Sequence, residues 1–241
     1  MDASEGLQCA FAGFPVNLMV DATFFGRSYG YLVFHDCQQV VYFKEIKTES
    51  VKHLREGLMT IIDAGYLLKS ITIDGRRGYF NNIKKIFGKN IPIQMCIFHQ
   101  KAIIRRYITD NPTSRCGQEL KELTKRLTDT DNHQQFIDDF YNLKNKYQFY
   151  LQERNDNQEF KHQALRSAFR SLESNLPNIF TYTDFKDLNI PPTINHLEGL
   201  FGHLKERINI HRGLRIDRKK KTIKFLLKNL GKKCREKCRK N

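Results

Sequence analysis

Three acidic side chains stand where a fold could gather them around a divalent metal ion. Asp21 follows a run of apolar residues at 18–20, and Asp74 follows a β-prone run at 71–73. Glu198 opens an amphipathic segment near the end of the chain. A charge at the end of an apolar strand is costly unless it has a partner. The alternative is that each acid is a surface charge or a turn former.

Carboxylates brought together in this way suit phosphodiester chemistry. Cleavage of a phosphodiester at neutral pH needs a nucleophile made from water and a stabilised leaving oxygen, and bound divalent cations can supply both. Mg²⁺ prefers oxygen ligands, so two or three carboxylates suffice. The expected cofactor is therefore Mg²⁺, with Mn²⁺ as a substitute.

The elements that must position these acids follow from the spacing of apolar residues. The order β-β-β-α-β-α-β predicts an α/β fold, with an antiparallel meander followed by parallel strands and helical crossovers. The predicted strands cover residues 16–25, 29–35, 40–46, 67–74 and 91–98, and the predicted helices cover 51–65 and 79–87.

The rest of the chain divides by composition. Residues 1–15 show little pattern and are interpreted as a leader, and 16–113 form the first part of the sheet domain. Residues 114–189 are polar with apolar residues at helical spacing, which predicts an α-helical insertion. Residues 190–213 close the sheet domain with the helix that carries Glu198, and 214–241 form a basic C-terminal helix or tail.

Positive charge is concentrated at the C-terminus. The chain has a formal net charge of +15, and residues 201–241 hold 16 lysines and arginines against three acids. Such a block attracts polyanions through many salt-sensitive phosphate contacts, although it could also serve as a solubilising tail. DNA is the expected partner. The predicted DNA-binding side chains of this region are His203, Arg207, Arg212, Lys219, Lys220 and Lys221.

Two further arginines come directly after the second acid. If Asp74 binds metal, Arg76 and Arg77 stand within reach of a DNA backbone, where a guanidinium can bridge phosphate oxygens. The alternative is that both are solvent-exposed loop residues.

The cysteines and the length of the apolar runs bear on the cellular compartment and on membrane association. Six scattered cysteines without a secretion signal favour reduced thiols. No run of about 18 apolar residues occurs, so no membrane span is expected. We therefore expect a soluble protein of the cytoplasm.

Cys96 and His99 form a Cys-x-x-His pair at the end of the last predicted strand. Within one strand, residues three apart point to opposite faces, so the two share a metal only if the strand ends near Cys96 and the chain turns helical. Structural zinc would also need two more ligands, which Cys234 and Cys238 could supply. No structural zinc is expected, and His99 is predicted to approach a phosphate or a carboxylate.

Several motifs together resemble one family of enzymes. Residues 18–23 (Leu-Met-Val-Asp-Ala-Thr) resemble the first acidic motif of DDE transposases, and 73–78 (Ile-Asp-Gly-Arg-Arg-Gly) resemble the second. Residues 94–100 are similar to the Cys-x-x-His signature of the mutator-like bacterial insertion-sequence group. Residues 191–199 resemble the segment with that group's glutamate, and 211–213 resemble its downstream His-Arg-Gly.

This resemblance implies an RNase H-like fold interrupted by an α-helical insertion. It implies Mg²⁺-dependent strand cleavage at transposon ends, followed by attack of the freed 3′-hydroxyl on another phosphodiester, in a homodimer. It also implies association with DNA in a bacterial nucleoid. The resemblance also assigns roles to single residues. Asp21, Asp74 and Glu198 would be metal ligands, Cys96 and His99 supporting residues, and Asn195 the neighbour that orients the glutamate.

Two other functions stay open at this stage. The chain could be a non-catalytic DNA-binding remnant of a transposase, or another RNase H-like nuclease such as a junction resolvase. Only 20 residues precede Asp21. We therefore expect the N-terminal DNA-binding domain usual in this group to be missing, and activity of the chain alone to suffer from its loss.

Overall fold

The computed structural model describes residues 5–7, 15–76, 78–88, 91–128, 132–210 and 213–229. The strands are β1 (Glu5–Leu7), β2 (Pro15–Phe25), β3 (Tyr29–His35), β4 (Val40–Ile46), β5 (Leu67–Ile73) and β6 (Ile93–Met95). The helices are α1 (Val51–Asp63), α2 (Tyr79–Phe87), α3 (Ile97–Ile108), α4 (Arg115–Lys125), α5 (His133–Lys146), α6 (Gln148–Gln152), α7 (Gln163–Ile179), α8 (Thr181–Asp184), α9 (Asn195–Ile210) and α10 (Ile216–Asn229). Short 3₁₀ turns lie at Arg126–Thr128 and Lys186–Leu188.

The strands form an open mixed sheet, which confirms the predicted α/β class. Their order is β1-β4-β3-β2-β5-β6. β2, β3 and β4 pair antiparallel, whereas β2 with β5 and β5 with β6 pair parallel. The strand β1 was not predicted, because residues 1–15 were interpreted as a patternless leader. Three residues are too few for an alternating pattern, and β1 exists through its pairing with β4.

The predicted strand over residues 91–98 was wrong in its second half. β6 ends at Met95, and the helix α3 begins two residues later at Ile97. The boundary between β6 and α3 cannot be recognised in the sequence, because the period of a short apolar run does not distinguish a strand from a helix. The buried positions Ile97, Gln100 and Ile104 follow the helical spacing instead.

Helices cover both faces of the sheet. Alternate side chains of β2 point to opposite faces. Leu18 and Val20 pack in the cluster that contains α1 and α2, and Met19 packs in the cluster that contains α9 and α10. The two faces therefore have separate hydrophobic cores, and Asp21 lies on the α9 face because it shares the alternation of Met19.

The insertion helices form a third hydrophobic cluster beside β6. This cluster joins α3 to helices α4 through α7, so α3 packs with the insertion although it follows directly from the sheet. The side chain of Gln94 donates to the carbonyl of Ile179 at 2.7 Å, and Thr181 donates to the carbonyl of Ile93 at 2.9 Å. These bonds fix the end of α7 against the edge strand.

No described helix is both long and apolar enough to cross a membrane.

Burial of His35 gives the fold a pH dependence. Its burial at the end of β3 lowers the pKa to about 4, with a small opposing effect of Asp36 and a further lowering by His196. The unfolded chain, with a histidine pKa near 6.5, then binds more protons than the folded chain between these values. We expect the contribution of His35 to the free energy of unfolding to fall by about 3 kcal/mol as the pH drops from 7 to 4, while the raised pKa of Asp21 acts in the opposite direction over this range.

Urea unfolding at several pH values measures this effect. Compared with the wild type, His35→Gln should gain about 3 kcal/mol of stability at pH 4 relative to pH 7, whereas the same change at the exposed His203 should leave the wild-type difference unchanged. Equal pH dependence in the wild type and in His35→Gln would contradict the assignment.

Candidate metal and nucleic-acid site

The parallel register of β2 and β5 brings the first two acids side by side. The last pair of this ladder joins Val20 to Ile73, so Asp21 and Asp74 are the next residue on each strand. Asp21 lies inside β2, within the predicted strand over residues 16–25. It pairs with Val33 of β3, and β2 continues to Phe25 along that neighbour.

Both acids lie on the face that α9 covers. Thr72 precedes Asp74 by two residues and donates from its hydroxyl to the carbonyl of Pro191 at 2.9 Å. This bond ties β5 to the segment that leads into α9, which starts at Asn195. Glu198 therefore sits in the first turn of the helix that packs above the two strands.

Glu198 approaches the start of another helix. Its Oε1 lies 3.7 Å from Nδ1 of His99, and the two side chains are partly exposed. His99 belongs to the first turn of α3, which follows β6 directly. Two strands and two helices thus converge at one place, and the predicted proximity of His99 to a carboxylate is confirmed.

The charges at this place repel one another. Burial raises the pKa of Asp21 to about 8, a hydrogen bond from the Ala22 amide opposes the rise, and repulsion from Asp74, Glu49 and Glu198 adds to it. The amide bond is 2.8 Å long. A carboxylate buried among three others is unstable without a compensating cation.

Glu49 is a fourth carboxylate that sequence reasoning missed. Its side chain is only 8% exposed, and it accepts from the Tyr79 hydroxyl at 2.7 Å and from Arg76 at 2.9 Å. Burial raises its pKa, and the Tyr79 bond opposes this. Glu49 directly precedes Ser50, the N-cap residue of α1. In the sequence, only this capping serine indicates that Glu49 stands at the start of a helix.

Arg76 binds this carboxylate. A second guanidinium nitrogen donates to the backbone carbonyl of Glu49 at 2.9 Å, so Arg76 joins the turn after β5 to the entrance of α1. Its amide also donates to Asp74 Oδ1 at 3.0 Å. Contact of Arg76 with DNA stays a prediction that requires it to leave Glu49, and Arg77 lies outside the described residues.

Gly75 allows the chain to turn at Asp74. Its φ of +80° belongs to the left-handed region, and a side chain there would overlap the sulfur of Met95. A glycine is the residue that meets both conditions at once. The turn holds the Asp74 carboxylate at the end of the parallel ladder.

The Cys-x-x-His pair has a structural explanation. Because β6 ends at Met95, Cys96 precedes α3 and His99 lies in its first turn, so the condition under which the two could share a metal is met. The further ligands that structural zinc would need, Cys234 and Cys238, lie outside the described residues, so the expected absence of zinc stays a prediction. Burial raises the pKa of the Cys96 thiol to about 11, opposed by backbone N–H groups, including that of Ile194. Cys96 is buried with Ile194 where α3 meets the entrance of α9, and the bond from the Ile97 amide to the Pro192 carbonyl ties the two segments together.

Substitutions at Cys96 should separate this positioning role from metal binding. Cys96→Ser keeps an acceptor for the N–H groups and should change the free energy of unfolding by less than about 1 kcal/mol. Cys96→Val removes the acceptor and should cost about 1–2 kcal/mol. Denaturant unfolding with and without a zinc chelator measures both. A loss of stability on chelation in the wild type would contradict the positioning role.

The remaining predicted residues of α9 lie apart from Glu198. At 100° per residue, His203 and Arg207 stand about 140° and 180° around the helix from Glu198. The exposed face of α9 that holds Gly199, Gly202 and Glu206 lies between Glu198 and His203. Asn195 is exposed, and the described residues show no hydrogen bond from it to Glu198. Lys205, which was not predicted, shares the flank of Glu198.

The basic helix α10 uses part of its charge inside the molecule. Lys220 and Lys224 both pair with Glu45 of β4, the second at 3.1 Å, and Lys220 also lies over the ring of Tyr29. Lys220 thus docks α10 onto the sheet. Lys221 is exposed and Lys219 is partly exposed, so their contact with DNA stays a prediction. Arg212 and residues 230–241, with Cys234 and Cys238, lie outside the described residues.

No protein-family model and no curated protein matches this chain. Among the described residues, no group of three or more histidine, cysteine, aspartate or glutamate side chains is arranged to hold a metal ion. The donor set nevertheless fits a hard cation, because its oxygen donors are carboxylates and Asp21 is buried beside like charges.

Proposed function

We propose that this chain is the catalytic domain of a DDE-type transposase with an RNase H-like fold. The observation that carries the proposal is the parallel register that sets Asp21 beside Asp74, under the helix that supplies Glu198. The charge of Glu198 acts on Asp21, which requires the two to be close. Strand order supports the fold. An antiparallel meander of three strands is followed by two parallel strands on one side of β2.

In this proposal Asp21, Asp74 and Glu198 hold divalent cations, Mg²⁺ or Mn²⁺. Such cations supply a nucleophile from water at neutral pH and stabilise the charge on a leaving oxygen. The carboxylates themselves fix the place of the scissile phosphate relative to β2 and β5.

The neighbouring residues position this site. Cys96 holds α3 against the entrance of α9, and His99 in turn faces the Glu198 carboxylate. An N–H of the His99 ring can donate to Glu198 or to a phosphate oxygen. Hydrolysis adds the oxygen of water to phosphorus and breaks the bond between phosphorus and the 3′ oxygen, which leaves a 5′-phosphate and a free 3′-hydroxyl. That hydroxyl then attacks a phosphodiester of the target DNA and displaces the 3′ oxygen of the target strand.

The proposed partners follow from this reaction. The substrate is DNA that carries the terminal repeats of the element, together with target DNA. Two ends must be joined in one event, so the proposed assembly is a homodimer with one site for each end.

Cleavage of DNA in the presence of a divalent cation tests the proposal. The full chain is incubated with supercoiled plasmid in Mg²⁺, in Mn²⁺ and in a chelator, and the product ends are analysed. Nicks with 3′-hydroxyl ends, formed only with Mg²⁺ or Mn²⁺, are the expected result. Binding to DNA without nicking in either cation would indicate the DNA-binding remnant instead. Preferential cutting of branched DNA or of RNA–DNA hybrids would indicate another nuclease.

A further inference from the structure

A groove between α3 and α4 starts beside the carboxylate site. Its volume is about 290 Å³, and its floor includes Ile104 and Ala102. Four cationic side chains and one acid line its sides. They are Lys101, Arg105, Lys121, Lys125 and Asp110.

The position of the groove relates it to the carboxylates. Phe98 is the first residue of α3 that lines the groove, and the end of the groove at Phe98 is called its mouth. The next residue, His99, faces Glu198. From Phe98 to Arg105 the helix rises about 10 Å, which corresponds to about three nucleotide steps along a B-form strand. The groove therefore begins one residue from His99 along α3 and extends over the length of about three nucleotides.

The cations of the groove can exchange their present partners. Arg105 pairs with Asp110 at 2.6 Å, but the two side chains are 70% and 63% exposed. Lys125 pairs with Glu122 at 2.7 Å in a similarly exposed setting. Exposed pairs of this kind contribute little to stability, so either cation can turn to a phosphate at low cost.

We infer that this groove binds the DNA strand that runs out of the carboxylate site. The inference rests on the proposed function, and it names the surface that holds the flanking nucleotides. The charge of the rim complements phosphates, and the side chain of Phe98, 40% exposed at the mouth, offers a face on which a base can stack. Lys121 donates to the carbonyl of Asp110, so its ammonium group also lies along the groove.

Equilibrium binding of labelled duplex DNA in a chelator tests the inference without any cleavage. The double variant Arg105→Gln/Lys125→Gln should bind about tenfold more weakly at low salt and reduce the slope of log affinity against log salt by about 2. The matched control is Lys52→Gln/Lys85→Gln, which removes two exposed cations from α1 and α2. It should stay within about twofold of the wild type.

A second variant tests the mouth of the groove. Phe98→Ala should weaken binding of a duplex with a single-stranded overhang by about fivefold or more, and binding of a blunt duplex much less. Thermal unfolding confirms that each variant is folded.

The outcomes separate this inference from the proposed function. Wild-type affinity in the groove variants, or an equal loss in the control, overturns the groove even if the protein cuts DNA. A selective loss of binding in the groove variants supports the groove even if no nicking is found.

Discussion

Asp74→Asn and Glu198→Gln are each expected to reduce metal-dependent DNA nicking by about 10³-fold or more, which corresponds to about 4 kcal/mol of transition-state stabilisation. Asp74 follows the last paired residue of β5, and Glu198 lies in the first turn of α9. Each amide keeps the shape of the side chain but removes the negative charge that a divalent cation requires. The rate of nicking of supercoiled plasmid, measured with enzyme in excess, gives the loss.

The matched control is Glu206→Gln. Glu206 belongs to the same helix as Glu198, and its side chain is exposed near His203. The control should nick at the wild-type rate, and all three variants should bind DNA with similar affinity in a chelator. Full activity in Asp74→Asn or Glu198→Gln would exclude that residue as a ligand.

Asp21→Asn is expected to make the chain more stable while it destroys activity. Burial among Asp74, Glu49 and Glu198 makes the charged form of Asp21 unfavourable. Without a cation, the neutral amide should raise the free energy of unfolding by about 2–4 kcal/mol at pH 7. With Mg²⁺ added, the wild type should gain stability and the variant should gain much less. Denaturant unfolding with and without Mg²⁺ measures both effects.

Asp63→Asn serves as the control for this experiment. Asp63 is exposed at the end of α1, on the other face of the sheet. This substitution should change neither the stability nor the response to Mg²⁺ by more than a few tenths of a kcal/mol. If Asp21→Asn lowered the stability and still responded fully to Mg²⁺, Asp21 would not be the buried charge that a cation relieves.

The central strands could be predicted because their residues alternate or form buried runs of clear length. β3 and β4 have the predicted bounds, and α2 begins and ends at the predicted residues. β1 could not be predicted, because its three residues are too few to show an alternating pattern and its strand conformation depends on pairing with β4. The start of α3 was missed because the apolar run at 91–98 satisfies strand and helix equally well.

The site was partly predictable for a related reason. Asp21 and Asp74 follow apolar runs, so their proximity depends only on the pairing of two strands. Glu49 gives no such signal, because its burial arises from Arg76 and Tyr79, which lie 27 and 30 residues further along the chain. The attachment of Lys220 to Glu45 spans 175 residues and is likewise a product of tertiary packing.

Binding of Mn²⁺ to the full chain, measured by electron paramagnetic resonance, tests the central claim most directly because it does not depend on knowing the terminal repeats. Free Mn²⁺ gives a signal that disappears on binding, so a titration counts the bound ions. We predict saturable binding by the wild type and by Asp63→Asn, and loss of that binding in Asp21→Asn/Asp74→Asn. Equal Mn²⁺ binding by the wild type and by the double variant, or no binding by either, would contradict the account.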